Sequence, residues 1–181
     1  MKKYIVFIIL STMIFGLSYF GYLAIQKKAE KKQIESAIQR LPVLSFYTLN
    51  QTDFTYKNSK DKSTLIIYFH PDCEHCQYEV KQLFLNKEQF HKTQILLISP
   101  ASLTAIKQFN TDYQLDKIEP LKLLWDKDGK FDTYFGISTF PTVLIYDSNN
   151  KLRKRYKGEV KIEAILKHLS IEKVENLTNQ F

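Results

Sequence analysis

At 181 residues and 44% hydrophobic, the chain holds enough apolar material for one domain plus an appendage, and it lacks the repeats or low-complexity tracts of a disordered protein. Its formal charge of +7 is unevenly placed: residues 1–40 carry seven Lys/Arg against two Glu, and the remainder 19 basic against 17 acidic side chains. The folded part is therefore nearly neutral, which argues against a broad phosphate-binding surface and a nucleic-acid partner.

Lys2 and Lys3 precede an uncharged run, Tyr4 to Ile25, rich in Ile, Leu, Phe and Val. That length suits a helix crossing the roughly 20-residue hydrocarbon core, and it exceeds the roughly 7–15 apolar residues of a cleaved secretory signal. Residues 1–25 are expected to be a transmembrane signal-anchor, held in membrane lipid. Residues 26–40 read as a helical stem, residues 41–172 as the folded domain and residues 173–181 as a tail. Lys27, Lys28, Lys31 and Lys32 follow the span, and a literal count of flanking positive charge would put the domain in the cytoplasm.

In the domain, Thr64 to His70 is a continuous apolar run, the pattern of a strand buried on both faces. Cys76, Val80, Leu83 and Phe84 then fall on one helical face. Gln94 to Ser99 reads as a second buried strand, and Ser102 as the cap of a helix faced by Leu103, Ile106, Phe109 and Tyr113. Trp125, in the run Leu121–Asp126, reads as core. Pro141 to Asp147 predicts a third strand, and Ser148, Asn149 and Asn150 a turn into a charged strand, Lys151 to Lys157. The charges on that last strand fit an edge guarded against aggregation. Ile162, Ile165, Leu166 and Leu169 mark a closing helix. The sum is an α/β layered domain with a mixed sheet.

The cysteines are Cys73 and Cys76, three positions apart. A bridge over so short a loop removes little unfolded-chain entropy, so reactivity explains them better than stapling. They form a C-x-x-C directly after the first buried strand, at a helix start. Unpaired N–H groups and the positive helix end favour a thiolate at Cys73, and thiolate is the nucleophilic form. Cys76, one turn on, lies near the same face and can attack a mixed disulfide at Cys73. A protonated His75 would favour the thiolate, whereas Asp72, Glu74 and Glu79 would oppose it by like charge. A metal is the competing reading, since His70, Cys73, His75 and Cys76 offer four ligands within seven residues. A zinc-ribbon site needs a second distant ligand pair, and no other cysteine exists. Asp126-Lys127-Asp128-Gly129 resembles the opening of a calcium loop, but Lys130 and the missing terminal Glu favour a polar turn. Asn176-Leu177-Thr178 is a glycosylation sequon by pattern in an expected frayed tail.

The strand, the C-x-x-C helix, the second strand and helix, and then Gly136-Ile137-Ser138-Thr139-Phe140-Pro141-Thr142 before a strand resemble the thioredoxin superfamily. Within it the chain is similar to membrane-tethered TlpA/ResA-type thiol-disulfide oxidoreductases, over roughly Leu41 to Leu169. The resemblance implies a thioredoxin-like fold, a redox-active Cys73–Cys76 disulfide with no other cofactor, and a domain facing the bacterial periplasm or extracytoplasmic space. It implies exchange with protein thiols and disulfides and an electron donor. It also implies a cis Pro141 facing the dithiol, a substrate groove shaped by Thr139, Phe140 and Pro141, and a proton-handling Glu79. His75, with Asp72 and Glu74, would tune the potential. Glu79 otherwise reads as a solvated helix residue pairing with Lys81 or Lys87. Many thioredoxins carry Trp before the first cysteine, and here Asp72 follows Pro71. The alternatives are a membrane-tethered metal-binding or delivery module and a thiol peroxidase. The chain lacks the Thr/Ser that peroxidases carry near the reactive cysteine.

Overall fold

The computed structural model describes residues 2–56, 62–137 and 139–169, so Ser138, the tail 173–181 and the sequon at Asn176 lie outside the described residues. The chain divides into two compact units, residues 1–37 and 38–181.

The first unit is one helix, α1 (Lys2–Ala37), about 54 Å long at 1.5 Å per residue. It takes in both the expected span and most of the expected stem. Met13, Ile14, Phe15, Leu17, Tyr19 and Phe20 are exposed on it, and their near-consecutive positions point apolar surface in all directions rather than along one stripe. Among the described residues, no helix is long and apolar enough to cross a membrane. The side chains of residues 6–11, inside the expected span, are not among those described.

The second unit starts at Ile38, ahead of the expected Leu41, because the segment is bound to the sheet. Ile38 is buried, its carbonyl accepts from the Tyr146 hydroxyl at 3.0 Å, and the Leu152 N–H donates to the Gln39 carbonyl at 2.9 Å.

Strands β1 (Leu44–Thr48) and β2 (Asp53–Tyr56) form an antiparallel hairpin. Then come β3 (Ser63–Tyr68), α2 (Glu74–Leu85), β4 (Thr93–Ser99), α3 (Leu103–Tyr113), β5 (Leu121–Trp125), α4 (Lys130–Phe135), β6 (Thr142–Tyr146) and β7 (Leu152–Lys157). A closing helix, α5, covers 162–169. One seven-stranded mixed sheet results, in the order β2-β1-β5-β4-β3-β6-β7. β3, β4 and β5 are parallel neighbours, as α/β crossovers require, while β6 runs antiparallel to β3. β3, β4 and β6 are central, and both faces of each are covered, which is why their sequences are apolar without alternation. Charged β7 is an edge strand, as its composition predicts.

Alternate residues serve the two faces. Leu65, Ile67, Ile95, Leu97, Val143 and Ile145 pack with Val80 and Leu83 of α2, Phe109 of α3 and Ile162 and Ile165 of α5 in one core. On β3, the residues between them point the other way, where the Tyr68 ring stacks on Phe131 of α4, centroids 3.9 Å apart.

One expectation is corrected here. Trp125 is not core: it is half-buried at the end of β5, its indole N–H donating to the Ala101 carbonyl at 3.0 Å and its ring beside Tyr47 of β1, centroids 6.2 Å apart. The Asp126–Gly129 turn is polar, as expected, but Asp126 is buried and structural. Its carboxylate accepts from the N–H groups of Lys130 (2.7 Å) and Phe131 (3.1 Å), satisfying two donors at the start of α4.

Candidate active site

The chain leaves β3 through buried Phe69 and turns at His70-Pro71-Asp72 into α2. The Cys73 N–H donates to the His70 carbonyl at 3.1 Å, and the Gln77 side-chain amide donates to the Pro71 carbonyl at 2.8 Å. These bonds fix the helix start. Cys73 is its N-cap, with extended φ −88° and ψ 113°, and its sulfur accepts from the Cys76 backbone N–H at 3.4 Å. A negative sulfur there meets a hydrogen-bond donor and the positive end of a 12-residue helix.

The two sulfurs sit in different surroundings. Cys73 is partly exposed and Cys76 is buried; both are free thiols. Burial pushes the Cys76 thiol well up, with its hydrogen bond to Cys73 and the Cys73 and Glu79 charges acting the same way, against a backbone bond at His70. Cys76 therefore keeps its proton where an exposed thiol would begin to lose it.

Glu79, one turn beyond Cys76, is only 1% exposed. Pairing with Lys81 or Lys87 is excluded, because neither carboxyl oxygen has a hydrogen-bond partner among the described residues. Burial first, and then the charge of Glu159, raise its pKa from 4.5 to about 8. A carboxyl so placed is a neutral acid over much of the physiological range and can exchange a proton near pH 8.

Phe140 and Pro141 reach the same end of the sheet from β6. Tyr68, the last residue of β3, pairs with Thr142, the first of β6, so the segments beyond them are neighbours. The Phe140–Pro141 bond is cis, as is Glu119–Pro120. The Phe140 ring, half-buried, lies 4.9 Å from Tyr68 and 5.6 Å from His70 between centroids. Thr139 is exposed, and its carbonyl accepts from the Thr142 hydroxyl at 2.8 Å. The Pro141 carbonyl accepts at 2.8 Å from the Gly158 N–H. Gly158 has φ 88°, a left-handed conformation that favours glycine, and it turns the chain after β7.

Among the residues expected to tune the pair, Asp72 and Glu74 are exposed. His75 is also largely exposed, but its Nδ1 donates at 2.6 Å to Glu159, 84 positions away. Glu159 is the site residue that sequence reasoning missed. Its only local signal is a carboxylate immediately after a glycine at a strand end. Among the described residues, no group of three or more His, Cys, Asp or Glu side chains is placed to hold a metal ion.

Residues 28–155 match the AhpC/TSA family. The chain belongs to that family. Curated proteins, compared by sequence, give no match. Among solved structures, this AhpC/TSA chain is similar to dsbF of MTB in its mixed oxidized and reduced forms, with a TM-score of 0.63 and 18% identity over 75% of this chain and 96% of that one. It is also similar to a secreted Mycobacterium tuberculosis disulfide oxidoreductase homologous to E. coli DsbE, at 0.62 and 16% over 75% and 98%. A peroxiredoxin-like protein from Aquifex aeolicus matches at 0.61 and 16% over 74% and 85%. At these identities the likeness shows the thioredoxin-like fold of this AhpC/TSA member.

Proposed function

We propose that the chain is a thiol-disulfide oxidoreductase that exchanges electrons with protein disulfides through Cys73 and Cys76. The observation that carries this reading is the asymmetry of the pair: a partly exposed sulfur at a helix N-cap, with a buried thiol one turn behind it.

In the reducing direction, the Cys73 thiolate attacks one sulfur of a substrate disulfide. A Cys73–substrate S–S bond forms, the substrate bond breaks, and the departing sulfur takes a proton. Cys76 then loses its proton, to the ionised fraction of Glu79 or to water, and attacks the Cys73 sulfur. The Cys73–Cys76 bond forms and the second substrate thiolate leaves. The dithiol has given up two electrons and the substrate disulfide has gained them. Run backwards, the same steps oxidise a substrate dithiol. Thr139, Phe140 and Pro141 would line the groove receiving the substrate chain, and Asp72, Glu74 and His75 would tune the potential.

Uncharged Tyr4 to Ile25 within α1 supports an N-terminal membrane anchor. The secreted relative among the fold neighbours supports an extracytoplasmic domain.

Family membership and the peroxiredoxin-like neighbour favour a second reading, a thiol peroxidase in which Cys73 reduces peroxide. Phe69-His70-Pro71-Asp72 before Cys73 holds no Thr or Ser, which favours exchange. The deciding experiment compares wild type with Cys73→Ser in insulin disulfide reduction and in peroxide consumption. Loss of insulin reduction in the variant is expected. Undiminished insulin reduction, or a wild type that consumes peroxide and reduces no protein disulfide, overturns the proposal.

A further inference from the structure

Glu79 is a buried carboxyl with both oxygens unpartnered, so its proton is governed by what charge lies within reach. Two groups bear on it. Cys76, on its own helix, interacts with it electrostatically, and Glu159 approaches from the loop between β7 and α5. Cys73 bears in turn on Cys76. Glu159 is the one charge in this set that comes from outside α2 and its cap.

Its placement is not casual. The Gly158 turn, bonded to the Pro141 carbonyl, delivers the loop to the substrate end of the sheet. Val160, on the other side, belongs to the core that includes Val80 and Leu83 of α2 and against which Cys73 packs. Between these fixed points, the Glu159 carboxylate accepts from His75 at 2.6 Å. Its side chain is 40% exposed, whereas Glu79 is buried. We infer that Glu159 is a positioning residue for the dithiol: bonded to His75, it ties the loop after β7 to the first turn of α2 and holds a negative charge within reach of Glu79. A negative neighbour discourages ionisation of the buried carboxyl, so Glu159 keeps Glu79 protonated to higher pH and ready to return a proton to Cys76.

The inference rests on the exchange reading, and its test separates the two. In the full chain, the pH profile of disulfide exchange is measured for wild type, Glu79→Gln, Glu159→Gln and Glu159→Asp. The limb that vanishes in Glu79→Gln belongs to Glu79. In Glu159→Gln that limb moves to lower pH, changing the rate at the wild-type midpoint by about two- to threefold, as expected for one charge across a partly wet gap. Glu159→Asp keeps the charge and holds the limb near its wild-type place. An unmoved limb in Glu159→Gln overturns the inference, and so does a Glu159→Asp chain that moves as far as the Gln one. A wild type without exchange activity defeats the parent reading instead.

Discussion

The backbone N–H of Cys76 donates to the Cys73 sulfur across 3.4 Å, so the second cysteine supports the first with its main chain while its own thiol stays buried. Cys76→Ser keeps that N–H. We expect the variant to attack a protein disulfide at wild-type rate and stop at the mixed disulfide, visible as an adduct by mass spectrometry under non-reducing conditions. An absent adduct, with Cys73 still alkylated by iodoacetamide, would show that attack needs more than the helix start.

Glu79 links the site to stability. Its pKa rises from 4.5 to about 8 on folding, so between those values the native chain holds a proton that the unfolded chain has released. Native stability should therefore fall as pH climbs through this window, by on the order of a few kcal/mol in all. Glu79→Gln cannot ionise. Urea melts should show little difference from wild type at pH 5 and a clearly more stable variant at pH 9. Parallel curves at both values would refute the buried acid.

Asp126 holds the start of α4 with two hydrogen bonds, at 2.7 and 3.1 Å. Removing a buried capping carboxylate of this kind costs about 1–3 kcal/mol. Asp126→Ala should lower the melting temperature by several degrees. Asp128, paired at 3.1 Å with Lys130 at the surface, offers the control: its loss should leave the melting temperature near that of wild type. Equal effects from both would contradict the capping role.

Phe140 packs its ring between Tyr68 and His70 while leaving one side open. If the groove receives protein chains, Phe140→Ala should raise KM for a protein disulfide about tenfold, a loss near 1.4 kcal/mol. A small disulfide that does not span the groove should be reduced as before. A matching loss with both substrates would assign the ring to packing alone.

The central strands were legible because burial on both faces leaves a continuous apolar signature, as in Leu65–Tyr68 and Val143–Tyr146. The β1–β2 hairpin was not read, since Ser45, Tyr47, Asp53 and Thr55 mix polar and aromatic residues on a strand pair near the sheet edge. β5 showed only as an apolar run, because exposed Lys122 interrupts it. Cys73 and Cys76 could be found together, being one turn apart at a single helix start, and Glu79 could be found from the family resemblance. Glu159 could not: its partner lies 84 positions away, and only the return of β7 beside β6 brings it near. Its meeting with His75 belongs to tertiary packing, which no local pattern encodes.

Unequal access to the two sulfurs would give the proposed exchange cycle a fixed order of events. In that cycle an incoming protein would meet the partly exposed Cys73 before the buried Cys76, so each encounter would begin on the outer atom and each release would be driven by the inner one. An inhibitor that caps the outer atom would thus silence both half-reactions with a single covalent bond.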